Sequence, residues 1–209
     1  MEKGVHAMNA KRWILFIAAG VLLAMLAGIS VYLLNSEDPG FRSCMESFTE
    51  ALSQGNIPAA REWVAASGRD KIRMPQNILS EAVYRDLRLV SFGNVSPSGE
   101  NQWAADATLR TIDTIPIITK ANYLFYERLS TAEQEPTEAE MNAAFDEIFT
   151  EILSRDDLPM KEILCIVTFT KENGVVRILP DDEFIKVIQG NVAENVQASK
   201  TLLDIALGE

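Results

Sequence analysis

Beyond residue 6 the sequence contains no histidine. Without an imidazole, Ser-His-Asp and Cys-His catalysis and the common histidine metal sites are unavailable to everything that follows His6. Cysteine is nearly as scarce. Cys44 and Cys165 lie far apart and form no C-x-x-C, which argues against a zinc knuckle or a thioredoxin-type redox site. Cys44 shares a helical period with Phe41, Met45 and Phe48, and Cys165 a strand period with Val167 and Phe169. Buried free thiols are the preferred reading of the two, with a disulfide as the alternative. Also missing are the G-x-x-x-x-G-K-[ST] and G-x-G-x-x-G phosphate loops and the G-x-S-x-G nucleophile elbow. No cofactor, no metal and no catalytic residue is expected from these absences.

Bases are in short supply after the first few residues. Of 30 acids and 19 bases, only Glu2 and the bases Lys3, Lys11 and Arg12 precede residue 35, so the remainder carries 29 acids against 16 bases, a formal −13. Nucleic acid and anionic lipid head groups both demand a cationic patch, so at that charge neither is expected as a partner.

What is present first is a long apolar run. Trp13 to Leu34 holds 22 residues without a charge, about 33 Å of helix at 1.5 Å per residue, which spans a hydrocarbon core. Twelve of them are Leu, Ile, Val or Phe, worth about −4 to −7 kcal/mol of insertion free energy. Lys3, Lys11 and Arg12 precede the run and Glu37 and Asp38 follow it, which predicts a cytoplasmic N-terminus and an extracytoplasmic remainder in the cell membrane. A cleaved signal peptide competes, but its apolar region is usually only roughly 7 to 15 residues long, and no A-x-A site closes this run. Leu26-Ala27-Gly28 looks like the start of a lipoprotein signal, yet Ile29 stands where the lipidated cysteine would be. The expected organisation is a basic tail over 1–12, a signal-anchor helix over 13–34 in contact with the lipid bilayer, a linker over 35–38, an α+β domain over 39–190 and a C-terminal helix over 191–209.

Within the domain, Pro39 opens a helix whose stripe is Phe41, Cys44, Met45, Phe48 and Leu52, stopped at Gly55. Pro58 starts a second helix, AAREWVAAS, closed by Gly68, and a weaker third runs from Pro75 to Val83. Strand alternation follows at Leu87 and Leu89, then a turn at Ser96-Pro97-Ser98-Gly99, then alternation at Trp103, Ala105, Ala107 and Leu109. Ile117, Ile118, Ala121, Leu124, Phe125 and Leu129 mark a helix. A polar connection over Ser130 to Pro136 and a capping box at Thr137 to Glu140 lead to another, with the stripe Met141, Ala144, Phe145, Ile148, Phe149 and Ile152. That stripe reads as packing against the sheet, in preference to a binding groove. Lys161 to Thr170 and Val175 to Leu179 form a hairpin about Asn173-Gly174. Pro180 ends it, Asp181 or Asp182 caps a short helix bearing Phe184, Val187 and Ile188, and Gly190 separates that from a last helix marked by Val192, Val196, Leu203 and Ala206.

Two stretches, EPTEAEMNAAFDEIFTEILSRDDLP and TFTKENGVVRILPDDEFIKVIQGN, carry a resemblance. Over about Asp38 to Gly190 the chain resembles the nuclear transport factor 2-like superfamily, and more narrowly the membrane-anchored domains of unknown function of Gram-positive bacteria. It differs at Val175-Val176, where those domains usually carry a tryptophan after the hairpin glycine. The resemblance implies an α+β fold in which a bent antiparallel sheet wraps helices as a cone, with an inserted helical hairpin. It implies little about function, since that superfamily includes isomerases, dehydratases, ligand binders and assembly factors.

Three functions follow as expectations. The first is a non-catalytic, membrane-tethered module that binds an envelope protein or assembles at the membrane. The second is a sensor or carrier holding a small apolar molecule near Trp63 and Trp103. The third and weakest is an Asp-dependent isomerase or dehydratase. For that role Asp106 is the only acid in the first strand pair that could be argued, and its alternation with Ala105 and Ala107 turns it outward. The runs Asp156-Asp157 and Asp181-Asp182-Glu183 lack the spaced ligand loop of a calcium site and read as loop solvation and helix capping.

Overall fold

A computed structural model describes residues 39–131 and 137–197. The expected tail, anchor helix and linker over 1–38, the connection over 132–136 and the C-terminal helix beyond Gln197 lie outside the described residues. Among the described residues no helix is long and apolar enough to cross a membrane. From Pro39 onward the described residues form one compact unit, an α+β domain with helices packed against a curled antiparallel half-barrel sheet.

Helix α1, Pro39–Ser53, buries Phe41, Cys44, Met45, Phe48 and Leu52, the stripe its sequence period requires. It stops in a Schellman turn: Asn56 N–H donates to the Ala51 carbonyl and Gly55 N–H to that of Leu52, both at 2.9 Å, with Gly55 at φ +69°. Asn56 then caps α2, Ile57–Glu62, by accepting from Ala59 N–H. This helix is shorter than its sequence suggests. Trp63 to Ala65 leave it to bracket the last strand, with Ile178 N–H donating to the Trp63 carbonyl and Ala65 N–H to the Ile178 carbonyl, each at 2.8 Å. A 3-10 turn over Ala66–Lys71 follows, and α3, Ile78–Arg85, begins later than Pro75 because Asn77 is its cap.

Strand β1, Arg88–Phe92, and the short β2, Ser96–Gly99, pair with opposite ends of the long β3, Gln102–Ile112. Ser96 to Gly99 is thus a strand and the reversal lies at Glu100-Asn101, where Asn101 takes φ 53°. Pro97 is tolerated there because β2 is an edge. Helices α4, Thr114–Ser130, and α5, Glu138–Leu153, intervene before β4, Met160–Glu172, β5, Val175–Ile178, and α6, Asp182–Ile188. The sheet order is β1-β3-β4-β5, with β2 beside β1 on the same flank of β3. The capping box of α5 at Thr137 and Glu140 and the Asp181 cap of α6 form as their sequences require.

Two apolar clusters result. In the first, α1 fills the hollow of the sheet, with Phe41, Met45 and Phe48 packed among Phe92, Leu109, Val167 and Phe169. The Phe41 and Phe169 rings meet edge to face at 5.3 Å. The second cluster joins Ile117, Ile118 and Ala121 of α4 to Ile148, Ile152 and Leu153 of α5 and to Leu79 and Ala82 of α3. The α5 stripe therefore packs chiefly on helices and meets the sheet only at its end, through Ile112 and Met160. A stripe at helical spacing fixes which side is buried but does not name what buries it.

Candidate functional site

The two tryptophans sit at the rim of the filled hollow. Trp103 lies on β3 opposite Phe169, half-buried, with its ring 5.6 Å from that of Phe41. The Lys171 ammonium covers both rings, 5.1 Å from Trp103 and 5.4 Å from Phe41. Trp63, the C-terminal cap of α2, is also half-buried, and the Arg177 guanidinium stands 5.9 Å from its ring. Each indole is thus roofed by a cation, and Phe41 of α1 packs against Trp103. Among the described residues, neither tryptophan lines any of four well-formed surface clefts.

Both cysteines are free thiols. The Cys44 thiol donates to the Val176 and Trp63 carbonyls at 3.5 and 3.7 Å, and the Cys165 thiol to the Ala107 carbonyl at 3.5 Å. Burial pushes Cys44 up to about 12, against a smaller opposing pull from Arg177, and Cys165 up to about 11. Neither is a thiolate at neutral pH, so neither is poised as a nucleophile. Asp106 is exposed on the outer face of the sheet, and Asp181 is engaged in capping. Among the described residues no group of three His, Cys, Asp or Glu side chains could hold a metal ion.

The outer face of the sheet has an unusual composition. Leu164 and Ile166, on β4, are 71% and 63% exposed, opposite Thr108 and Asp106 of β3. Val90, at the bulge in β1, is exposed as well. From Met160 to Val167, β4 pairs with β3 on one side, while β5 joins it only from Phe169 onward. Among the described residues no strand pairs with the other edge of that stretch. The chain matches no protein-family model, no curated protein and no solved structure.

Two of the surface clefts have distinct chemistry. One, of about 380 Å³, lies between helices and is lined mainly by apolar side chains, among them Ile78, Ile118, Phe145, Phe149 and Val192. The other, of about 640 Å³, is lined by Arg85, Arg88, Arg110 and Arg155 together with Asp86 and Asp156. The acidic average of the domain therefore hides a local gathering of cations. No sequence signal joins four arginines so far apart, because only the strand register and the two helix ends bring them together. The outward apolar pair did leave a signal. Ile163 to Val167 is an unbroken apolar run in a strand, and an antiparallel strand with one wet face alternates instead.

Proposed function

We propose that this protein is a membrane-tethered, extracytoplasmic protein-interaction module without catalytic activity, whose contact surface is the outer face of β4. The observation that carries the reading is the exposure of Leu164 and Ile166 on a strand with an unpaired edge, above a hollow already filled by Phe41, Met45 and Phe48. Two large aliphatic side chains held side by side in water lose about 1.5–3 kcal/mol each relative to burial, a cost that a partner surface recovers. The packing of α1 side chains in the hollow, with Phe41 against Trp103, supports a non-catalytic reading over an isomerase or dehydratase. The charge-free run Trp13 to Leu34 with its basic leading flank supports the tether and its orientation. The helices against a curled antiparallel sheet, with a helical pair inserted before the closing hairpin, fit the nuclear transport factor 2-like resemblance of the sequence.

Photo-crosslinking in the native membrane tests this reading. A benzophenone side chain at position 164 or 166 of the full-length protein is expected to capture a protein, whereas the same group at the exposed Ser98 is not. Capture of lipid alone from positions 164 and 166 would sink the proposal. A cysteine introduced at Ser98 should react with an impermeant reagent on intact cells, and labelling only after lysis would reverse the orientation. A small apolar ligand is the second reading, favoured by the interhelical cleft at Phe145 and Phe149. Recovery of a bound small molecule from the purified protein by mass spectrometry would decide for it.

A further inference from the structure

The cleft at the ends of α3 and α5 gathers four arginines in a domain where acids outnumber bases by almost two to one. Three of the four are held in place. Arg85 makes two hydrogen bonds to one oxygen of Asp86, from Nε at 3.1 Å and from Nη2 at 2.9 Å. Arg88 Nη1 donates to the carbonyls of Arg85 and Leu87 at 2.8 and 2.7 Å. Arg155 lies 3.6 Å from Glu151, one turn earlier. The Arg88 bond to the Arg85 carbonyl caps the end of α3, and the contacts of Arg85 and Arg155 are ion pairs with carboxylates near in sequence. Neither kind of contact accounts for Arg110.

Arg110 is the direct cross-strand partner of Arg88, in register on β3 and β1. Like charges placed opposite one another on a sheet destabilise it. Among the described residues, no carboxylate lies within ion-pair distance of either side chain, although Glu162 is the residue opposite Arg110 on β4. Four arginines against the two lining aspartates leave the cleft with a formal charge of +2. Leu153, Leu158 and Met160 supply an apolar wall beside the guanidinium groups. Guanidinium groups fixed by backbone and carboxylate contacts, with one unpaired member, form a fork suited to a planar or tetrahedral oxyanion.

We propose that this cleft binds a phosphate-bearing small molecule, with Arg110 and Arg88 gripping the phosphate and the Leu153–Met160 wall taking the less polar remainder. A volume of about 640 Å³ exceeds the needs of one inorganic phosphate and lies within the range of sites for whole small molecules. The same chemistry is offered by a soluble phosphoester and by a phospholipid head group. The cleft adjoins the outer face of β4, through Met160 and through Arg110 opposite Glu162, but is lined by neither Leu164 nor Ile166.

The test uses the full-length protein in neutral detergent micelles, with inorganic tripolyphosphate and soluble dihexanoyl phosphatidylglycerol as probes, by isothermal titration calorimetry. Saturable binding of at least one probe is expected. It should weaken about tenfold or more in Arg110→Gln, the loss typical of one hydrogen-bonded ion contact. It should be unchanged in Arg73→Gln, which removes the same charge from an arginine that does not line this cleft. Tripolyphosphate binding alone assigns the site to a soluble ligand, and binding of the lipid alone, or of the lipid more tightly, assigns it to a head group. Equal weakening by Arg73→Gln and Arg110→Gln would reduce the effect to overall charge and overturn the proposal, as would the absence of saturable binding to both probes. Circular dichroism of Arg110→Gln confirms that the variant is folded. If it is not, Arg88→Lys, which keeps the charge and loses the fork, must weaken binding at least severalfold for the proposal to stand.

Discussion

Gly68 provides a prediction whose sign depends on the tertiary structure. Its backbone lies outside the left-handed region, and an alanine introduced at such a position ordinarily stabilises by about 0.4–1 kcal/mol by restricting the unfolded chain. Here the added Cβ would sit 2.6 Å from Cδ and 2.7 Å from Cγ of Pro180. Carbon atoms pack without strain at roughly 3.5–4.0 Å, so about 1 Å of separation must be found. The obstacle is a buried pyrrolidine ring, which has no rotamer to change, at the end of the strand that Trp63 and Ala65 bracket. Overpacking of this kind costs about 1–3 kcal/mol. Set against the entropic gain, Gly68→Ala should destabilise by about 1 kcal/mol, and by up to about 2.5 kcal/mol if the strand cannot shift. Urea unfolding of the protein in mild detergent, followed by near-ultraviolet circular dichroism, measures it. At about 2–4 °C per kcal/mol, the melting temperature should fall by a few degrees. Pro180→Ala removes the ring, so the double variant should be more stable than the sum of the two single losses by about 1 kcal/mol or more. A rise in stability for Gly68→Ala, or strict additivity with Pro180→Ala, would show that the 3-10 turn does not rest on Pro180 and would refute the reasoning.

Other perturbations have expected outcomes of their own. Phe169→Ala, deep in the first cluster and against both Phe41 and Phe92, should cost about 3–5 kcal/mol in the same urea experiment. Gly174→Ala meets no atom within 4 Å but is placed at φ +80°, so it should cost roughly 1–2 kcal/mol through backbone strain alone, and no substitution at a neighbouring side chain should rescue it. The folded state holds Cys44 and Cys165 above the ordinary thiol value of about 8.5. Their contribution to stability is therefore whole below that value and is lost as pH rises toward about 11 and then about 12. The urea midpoint should accordingly hold between about pH 7 and 8 and decline above about pH 9, and both thiols should resist iodoacetamide until the protein unfolds. A midpoint that climbs above pH 9 contradicts the burial of these groups.

Local chemistry was the part of this fold most legible in the sequence. Asn173-Gly174 predicts a tight reversal, and both residues take positive φ, 53° and 80°. Thr137 with Glu140 predicts a capping box, and each side chain serves the other's backbone N–H. The stripe of α1 and the outward position of Asp106 also follow from period alone. What failed to show were features decided at a distance. The run AAREWVAAS reads as one helix, yet Trp63 and Ala65 exchange hydrogen bonds with Ile178, and only the position of the last strand makes that break favourable. Ser96 to Gly99 has the composition of a turn and becomes a strand because β3 is long enough to pair with it. The arginine cleft was invisible for the same reason, while the exposed pair Leu164 and Ile166 lay in plain view within an apolar run.

The bracketing of Ile178 by Trp63 and Ala65 also imposes an order of events. Helix α1 is synthesised before any strand exists, yet its apolar side chains lie against β3 and β4, and its Cys44 thiol reaches the carbonyl of Val176, 132 residues onward. Pairings so distant in sequence form slowly, since the intervening loop must be closed before any contact rewards it. Until β3 and β4 have emerged, Phe41, Met45 and Phe48 lack the sheet they pack against, and the nascent chain presents an amphipathic helix with nowhere to dock. Residues that end as the most deeply enclosed in the finished domain are thus the ones exposed longest while it is being made, and any chaperone that attends this chain would find its handle there.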